Sequence, residues 1–137
     1  MKTAPRTVLI VDDDAEILEA MTHALAGEYR VLSATNGDDG VRLAQRELPD
    51  AILLDVMMPG GKDGFSTFAD LQKDPRTRNI PVLMQTDVNR KTGLAFDAAL
   101  MGQHLGKAPA AFLQKPVSAK KALDEIHKVL KSRGALT

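Results

Sequence analysis

Short apolar runs alternate with amphipathic segments along most of the chain. The runs predict five strands, of which the second is the weakest, at residues 8–11, 29–35, 51–54, 80–84 and 110–113. Helical periodicity predicts five helices, at residues 17–25, 41–48, 65–71, within 91–105, and at 119–130. This alternation predicts a doubly wound α/β fold with right-handed crossovers, in which the first strand lies between the second and third.

Turn and cap residues set the expected limits of these elements. Ser118 is the expected N-cap of the last helix, and Asn36 begins the turn before the second helix. Gly27 is the expected end of the first helix, and Pro49 ends the second. Pro81 is tolerated at the start of the fourth strand, where a missing N–H matters least.

Acidic residues follow two of the predicted strands. Asp12, Asp13 and Asp14 follow the first strand, and Asp55 follows the third. In doubly wound sheets, ligands bind at the carboxyl ends of the strands, so these acids converge if the two strands are neighbours. Clustered carboxylates repel one another unless a divalent cation offsets their charge or one is protonated. The pattern indicates a metal site beside an aspartate that could act as a nucleophile.

Two further polar residues follow strands at the same edge. Thr86 ends the fourth strand and Lys115 follows the fifth. An aspartate can attack phosphorus, while a cation, a hydroxyl and an ammonium can bind phosphoryl oxygens. Taken singly, these residues also have plain structural interpretations. Asp12 to Asp14 could be helix-start acids, Asp55 a solvated strand end, and Thr86 and Lys115 surface residues.

Composition narrows the classes of protein that fit. A chain of 137 residues with 44% hydrophobic and 26% charged residues is expected to form one globular domain. Its formal net charge of zero argues against direct nucleic-acid binding. The absence of cysteine excludes disulfides and thiolate metal sites. No apolar run is long enough for a membrane span, so a cytoplasmic location without membrane contact is expected.

Four segments, in this order, resemble the receiver domain of two-component response regulators: Val8–Asp14, Leu53–Gly60 with Asp63-Gly64, Pro81–Thr86, and Phe112–Pro116. The resemblance implies a (βα)5 fold with a parallel sheet in the order 2-1-3-4-5 and helices on both faces. It extends over residues 1–137 as a single receiver domain, with a core of about residues 6–133.

The resemblance also implies a role for each site residue. Asp55 would accept the phosphoryl group, and Asp14 would lie outside the site. Mg2+ would be held by Asp12, Asp13, Asp55 and the backbone carbonyl of Met57. Thr86 and Lys115 would bind phosphoryl oxygens, and Phe112 would switch together with Thr86.

The implied function is a phosphorylation switch that is not a turnover enzyme. The phosphoryl group would come from a sensor histidine kinase, a phosphotransfer protein or a small donor such as acetyl phosphate. Output would pass to an unidentified protein, or to a homodimer, through the face formed by the fourth helix, fifth strand and fifth helix. Lysines there, including Lys120, Lys121, Lys128 and Lys131, fit either an acidic partner or a solvated helix face.

Three features depart from the family pattern. Gly60-Gly61-Lys62 adds one residue to the loop beside Asp55, and Thr86 and Lys115 are 29 residues apart, several more than usual. Asp87 replaces the small residue that usually follows Thr86, and it could hinder phosphorylation. A receiver-like module that works without phosphorylation is therefore an alternative, and a Mg2+-dependent phosphohydrolase is a weaker one, because Met57 stands where such an enzyme needs a second acid.

The residues two beyond the phosphoacceptor and two beyond Thr86 border the path of hydrolytic water in receivers. Here they are Met57 and Val88. Neither side chain can orient a water molecule, so slow loss of the phosphoryl group is predicted.

Overall fold

A computed structural model describes residues 6–58, 63–86, 110–114 and 117–132. Five strands and four helices lie in these residues, in the order β1 (Thr7–Val11), α1 (Ala15–Leu25), β2 (Arg30–Ala34), α2 (Gly37–Glu47), β3 (Ala51–Asp55), α3 (Gly64–Lys73), β4 (Val82–Thr86), β5 (Ala111–Gln114) and α4 (Ala119–Ser132). The helix predicted within residues 91–105 lies outside the described residues. The helix predicted as the fifth is therefore labelled α4.

The strands form one parallel sheet in the order β2-β1-β3-β4-β5. β1 pairs with both β2 and β3, so the chain winds outward from β1 in both directions. Residues of α1 and α4 pack on one face of the sheet, and residues of α2 and α3 pack on the other. Helices cover both faces because the buried apolar strands must be shielded from water on both sides. The predicted fold class is therefore confirmed.

Alternation along each strand assigns its side chains to one face or the other. In β1, Val8 and Ile10 pack with α1 and α4, whereas Leu9 and Val11 pack with α2 and α3. We call these sides the α1/α4 face and the α2/α3 face. Successive side chains of a strand point to opposite sides, so the face of each residue at a strand end follows from its neighbours.

Three strands begin later than predicted: β4 by two residues, and β2 and β5 by one residue each. The N–H of Ile80 donates to the carbonyl of Thr77 in the preceding turn, and Pro81 has no N–H, so β4 begins at Val82. Pro81 still accepts a hydrogen bond from Ile52 through its carbonyl. The N–H of Tyr29 likewise donates to Leu25 in a turn, so β2 begins at Arg30.

The helix ends show which cap residues act as predicted. Ser118 accepts a hydrogen bond from the N–H of Lys121 at 3.0 Å, and Asn36 accepts one from Asp39 at 2.8 Å. α1 ends at Leu25 with Ala26 as its C-cap, and Gly27 follows directly, as predicted; turn bonds from Glu28 and Tyr29 to the Leu25 carbonyl continue this turn. α2 ends with Leu48 in the left-handed region, at φ 49°, directly before Pro49.

Within the described residues, no helix combines the length and the apolar character that crossing a membrane requires.

Candidate functional site

Asp12 and Asp55 lie side by side at the carboxyl edge of the sheet. Val11 and Leu54 are paired in register, and each acid comes directly after one of them. Asp12 is 0% exposed and Asp55 is 1% exposed. Both belong to the α1/α4 face, two residues beyond Ile10 and Leu53. The predicted convergence of the two strand ends is therefore found in the structure.

Asp13 completes a cluster of three carboxylates. One oxygen from each of Asp12, Asp13 and Asp55 lies within 4.8 Å of the others, and Asp13 is exposed whereas the other two are buried. Mg2+ takes oxygen ligands, and aspartate carboxylates are among those it binds in proteins. The donor set fits a hard divalent cation, whose charge would offset the repulsion between two buried acids.

Backbone N–H groups fix the orientation of both buried carboxylates. Oδ1 of Asp12 accepts a hydrogen bond from the N–H of Asp14 at 2.9 Å, and Oδ1 of Asp55 accepts one from Met57 at 3.2 Å. Each acid thus holds the loop that follows its own strand. These bonds keep the two carboxylates in place before a ligand arrives.

Asp14 has a different task from its two neighbours. Its side chain accepts hydrogen bonds from the N–H groups of Glu16 at 2.9 Å and Ile17 at 3.4 Å, which makes it the N-cap of α1. The helix-start interpretation therefore holds for Asp14, while Asp12 and Asp13 belong to the carboxylate cluster. The three consecutive aspartates divide between a helix cap and a candidate cation site.

Gly64 packs against the backbone that follows Asp55. A Cβ at Gly64 would lie 2.4 Å from the carbonyl oxygen of Asp55 and 2.6 Å from Cα of Val56. The N–H of Gly64 also donates to the carbonyl of Val56 at 2.9 Å. The sequence showed Asp63-Gly64 as part of a motif, but the reason for the glycine, a close approach of two backbones, depends on the folded structure.

The other predicted site residues are described to different extents. Met57 is 54% exposed beside the cluster. Phe112 is half-buried, packs on the α2/α3 face and pairs in register with Met84. Thr86 is the last residue of β4. Lys115, Asp87, Val88 and the loop residues Gly60, Gly61 and Lys62 lie outside the described residues.

Gln85 is a polar residue of this edge that sequence analysis did not single out. It is in register with Asp55, and its carbonyl accepts the N–H of Val56 at 3.0 Å. The residue is 2% exposed, and its Nε2 has no hydrogen-bond acceptor among the described residues. The sequence contains one indication of this residue, because a glutamine ends the otherwise apolar run Val82–Gln85.

The described part of the proposed output face is less basic than its lysines suggest. In α4, Lys120 pairs with Asp124 at 3.3 Å, and Lys121 and Lys128 pair with Glu125 at 3.0 and 3.2 Å. Hydrogen bonds from Lys121 and then Lys128 lower the pKa of Glu125 below its ordinary value. Since these acids offset part of the positive charge, the described residues favour a mixed-charge surface over a purely basic one.

A family model for the response regulator receiver domain matches residues 8–127. The match extends from β1 into α4 and includes every residue of the carboxylate cluster. The chain therefore belongs to the response regulator receiver domain family, whose members are signalling modules of two-component systems.

Relatives support this assignment over different shares of their length. Protein PilH of Pseudomonas aeruginosa is 37% identical over 126 residues, which cover 90% of this chain and 96% of PilH. Response regulator PleD of Caulobacter vibrioides is 38% identical over 111 residues, which cover 80% of this chain but only 23% of PleD. Among solved structures, chemotaxis protein CheY4 of Vibrio cholerae has a TM-score of 0.77 and 27% identity, with 93% of this chain and all of CheY4 covered.

Proposed function

We propose that this receiver is phosphorylated on Asp55 and signals by changing its protein contacts. The observation that carries the proposal is the pairing of two buried carboxylates, Asp12 and Asp55, with Asp13 within reach of the same point. Burying two adjacent acids is costly, and a purely structural site gains little from it. A site that binds a cation and a phosphoryl group uses that arrangement directly.

In the proposed reaction, a carboxylate oxygen of Asp55 forms a bond to phosphorus. The bond from phosphorus to the donor breaks, and its electron pair leaves with the donor, either a histidine nitrogen or the acyl oxygen of acetyl phosphate. The N–H of Met57 holds the Asp55 carboxylate in a fixed orientation for this attack. Thr86 and Lys115 would bind phosphoryl oxygens, the roles that their positions in the family motif imply.

Asp12, Asp13, Asp55 and the Met57 carbonyl would hold Mg2+ at this site. Bound there, Mg2+ would supply positive charge that shields the carboxylate from the phosphoryl oxygens. The three clustered oxygens within 4.8 Å support this assignment.

The proposed partners follow from family membership. A sensor histidine kinase or a phosphotransfer protein would supply the phosphoryl group in the cytoplasm. Output would pass to a second protein or to another copy of the chain through α4, β5 and the segment between β4 and β5, with Thr86 and Phe112 as the switch residues. Phe112 supports this proposal because its half-buried ring can change its packing without opening the core.

The proposal is tested by adding Mg2+ and beryllofluoride, a mimic of the phosphoryl group, and recording 19F NMR spectra. The wild-type chain is expected to give a bound signal that requires Mg2+, and Asp55→Asn is expected to abolish it. Asp14→Asn is the matched control, because it changes an aspartate of the same triplet and keeps a capping side chain. A matching phosphorylated species should form with acetyl phosphate and be visible by mass spectrometry.

Two results would contradict the proposal. A wild-type chain that neither binds beryllofluoride nor accepts phosphate would support a module that works without phosphorylation. Multiple turnovers of a phosphate ester would support the phosphohydrolase alternative.

The phosphorylated form is predicted to be long-lived. Met57 is exposed beside Asp55, and neither it nor Val88 can orient a hydrolytic water. We expect Met57→Asn and Val88→Glu to accelerate loss of the phosphoryl group, by about tenfold or more in the double variant. Acyl-phosphate decay measured by mass spectrometry checks this prediction. A wild-type rate already as fast as that of the double variant contradicts it.

A further inference from the structure

Gln85 continues a row of polar side chains across three neighbouring strands. The residues after Val11 and Leu54 are Asp12 and Asp55, and Asp55 is in register with Gln85. Leu83, two residues before Gln85, packs on the α1/α4 face, and so does Leu113, the residue of β5 that is in register with Gln85. Alternation therefore places the Gln85 side chain on the same face as Asp12 and Asp55, next to Asp55.

Burial makes an amide at this position costly. Gln85 is 2% exposed, and its Nε2 donates to no acceptor among the described residues. Leaving a buried donor without an acceptor costs free energy that an apolar residue of similar size would avoid. A donor placed beside the proposed phosphoacceptor gains an acceptor when that acceptor arrives with a ligand.

The lengths of the two side chains determine where the amide can reach. Glutamine carries its terminal atoms one methylene further from the backbone than aspartate does. From a neighbouring strand in register, about 4.8 Å away, the amide can extend just beyond the Asp55 carboxylate. The phosphoryl group on Asp55 would occupy that level, and its oxygens are strong acceptors.

We propose that Gln85 is a phosphoryl-binding residue, whose side-chain N–H donates a hydrogen bond to a phosphoryl oxygen on Asp55. This inference rests on the proposed function and adds a donor to it from the adjacent strand. It involves no change in the bonds made or broken during transfer. It also gives the buried amide an acceptor that the described residues do not supply.

The test compares Gln85→Met and Gln85→Leu with the wild-type chain. Beryllofluoride affinity is measured by 19F NMR at saturating Mg2+, Mg2+ affinity alone by calorimetry, and stability of the ligand-free chain by urea unfolding. Both variants are expected to bind beryllofluoride about tenfold more weakly or worse, because a hydrogen bond to a charged group is lost. Mg2+ affinity is expected to stay within about twofold, and stability to stay equal or rise.

Met84→Leu is the matched control, because Met84 lies on the same strand and on the opposite face. It should leave beryllofluoride affinity unchanged. Wild-type affinity in both Gln85 variants would overturn the role of Gln85 and leave the proposed function standing. A parallel fall in Mg2+ affinity would also overturn it, since distortion of the whole site would then explain the loss. Absence of binding in the wild-type chain would overturn the proposed function itself.

Discussion

The two faces of the sheet differ in how they end at the carboxyl edge. On the α1/α4 face, apolar alternation gives way to three buried polar residues: Asp12, Asp55 and Gln85. On the α2/α3 face, the strand residues directly before these remain apolar: Val11, Leu54 and Met84. The side chain of Val11 leaves no room for a Cβ at Gly40, and Gly64 packs on the backbone directly after Asp55.

This difference divides the requirements of the site between the two faces. The α1/α4 face carries three buried side chains that the proposed function uses to bind a cation and a phosphoryl group. The α2/α3 face supplies close packing that fixes where those strand ends lie. Substitutions on the first face should therefore alter ligand binding, and substitutions on the second should alter stability.

The largest effect on stability is expected for Gly64→Ala. The added methyl group would meet backbone atoms of Asp55 and Val56 at 2.4 and 2.6 Å, and backbone cannot rotate away as a side chain can. We expect a loss of about 3 kcal/mol or more in the free energy of unfolding, measured with urea. Gly27→Ala is the matched control, because nothing lies within 4 Å of the added atom. An equal effect of both substitutions would show that the close approach does not matter.

The next effect is the change in stability caused by Gly40→Ala. Its sign should depend on the side chain at Val11. The added methyl group would lie 2.8 Å from Cγ2 of Val11, a buried and branched side chain. Overpacking should outweigh the gain of about 1 kcal/mol in helix propensity, so the substitution destabilises the wild-type chain. In a Val11→Ala background the same change should become stabilising. Urea unfolding of the wild-type chain and the three variants of this double-mutant cycle measures the coupling, and additivity would contradict the prediction.

A smaller effect is expected for Asp14→Ala, which removes the N-cap of α1. The loss should be about 1 kcal/mol, with Mg2+ affinity unchanged. Asp13→Ala should show the reverse pattern, with stability changed by less than about 0.5 kcal/mol and Mg2+ affinity reduced. Urea unfolding and calorimetry on the two variants distinguish the roles of these neighbours. A shared phenotype would show that the triplet acts as one unit.

The smallest effect is a pH dependence of stability that arises from Asp74, next to α2 and α3. Hydrogen bonds from Arg76 lower the pKa of Asp74 below its ordinary value of 3.8, and Asp74 also accepts a bond from Gln45 of α2 at 3.0 Å. The pKa of Asp74 is lower in the folded state than in the unfolded state. Its contribution to the free energy of unfolding is therefore complete above the unfolded-state pKa, and it is lost as the pH falls through the folded-state pKa. The stability difference between wild type and Asp74→Asn should therefore shrink below about pH 4. A difference that stays constant down to about pH 2 would contradict this assignment.

The fold and the centre of the site were predictable for a common reason. Buried strands must be apolar on both faces, so an acid directly after such a run marks the carboxyl edge of the sheet. That rule brought Asp12 and Asp55 together although 43 residues separate them. The full strand order 2-1-3-4-5 came from the resemblance to receiver domains, and the structure confirms it.

Other features depend on contacts that periodicity does not encode. Gln85 interrupts an apolar run in the sequence. Its proposed role depends on its register with Asp55, and that register exists only after β3 and β4 pair. The need for glycine at Gly64 depends on the distance between two backbones. The late start of β4 depends on the turn bond between Ile80 and Thr77. Each of these requires the assembled structure.

The position of β1 between β2 and β3 links chemistry to chain assembly. Asp12 and Asp55 become neighbours only when the intervening α1, β2 and α2 have folded back and β3 has joined β1. Under the proposed function, a chain that has not yet formed β3 during synthesis would lack the phosphoacceptor pocket and would not divert phosphoryl groups from a kinase. Competence to accept phosphate would then also report that the centre of the sheet has assembled.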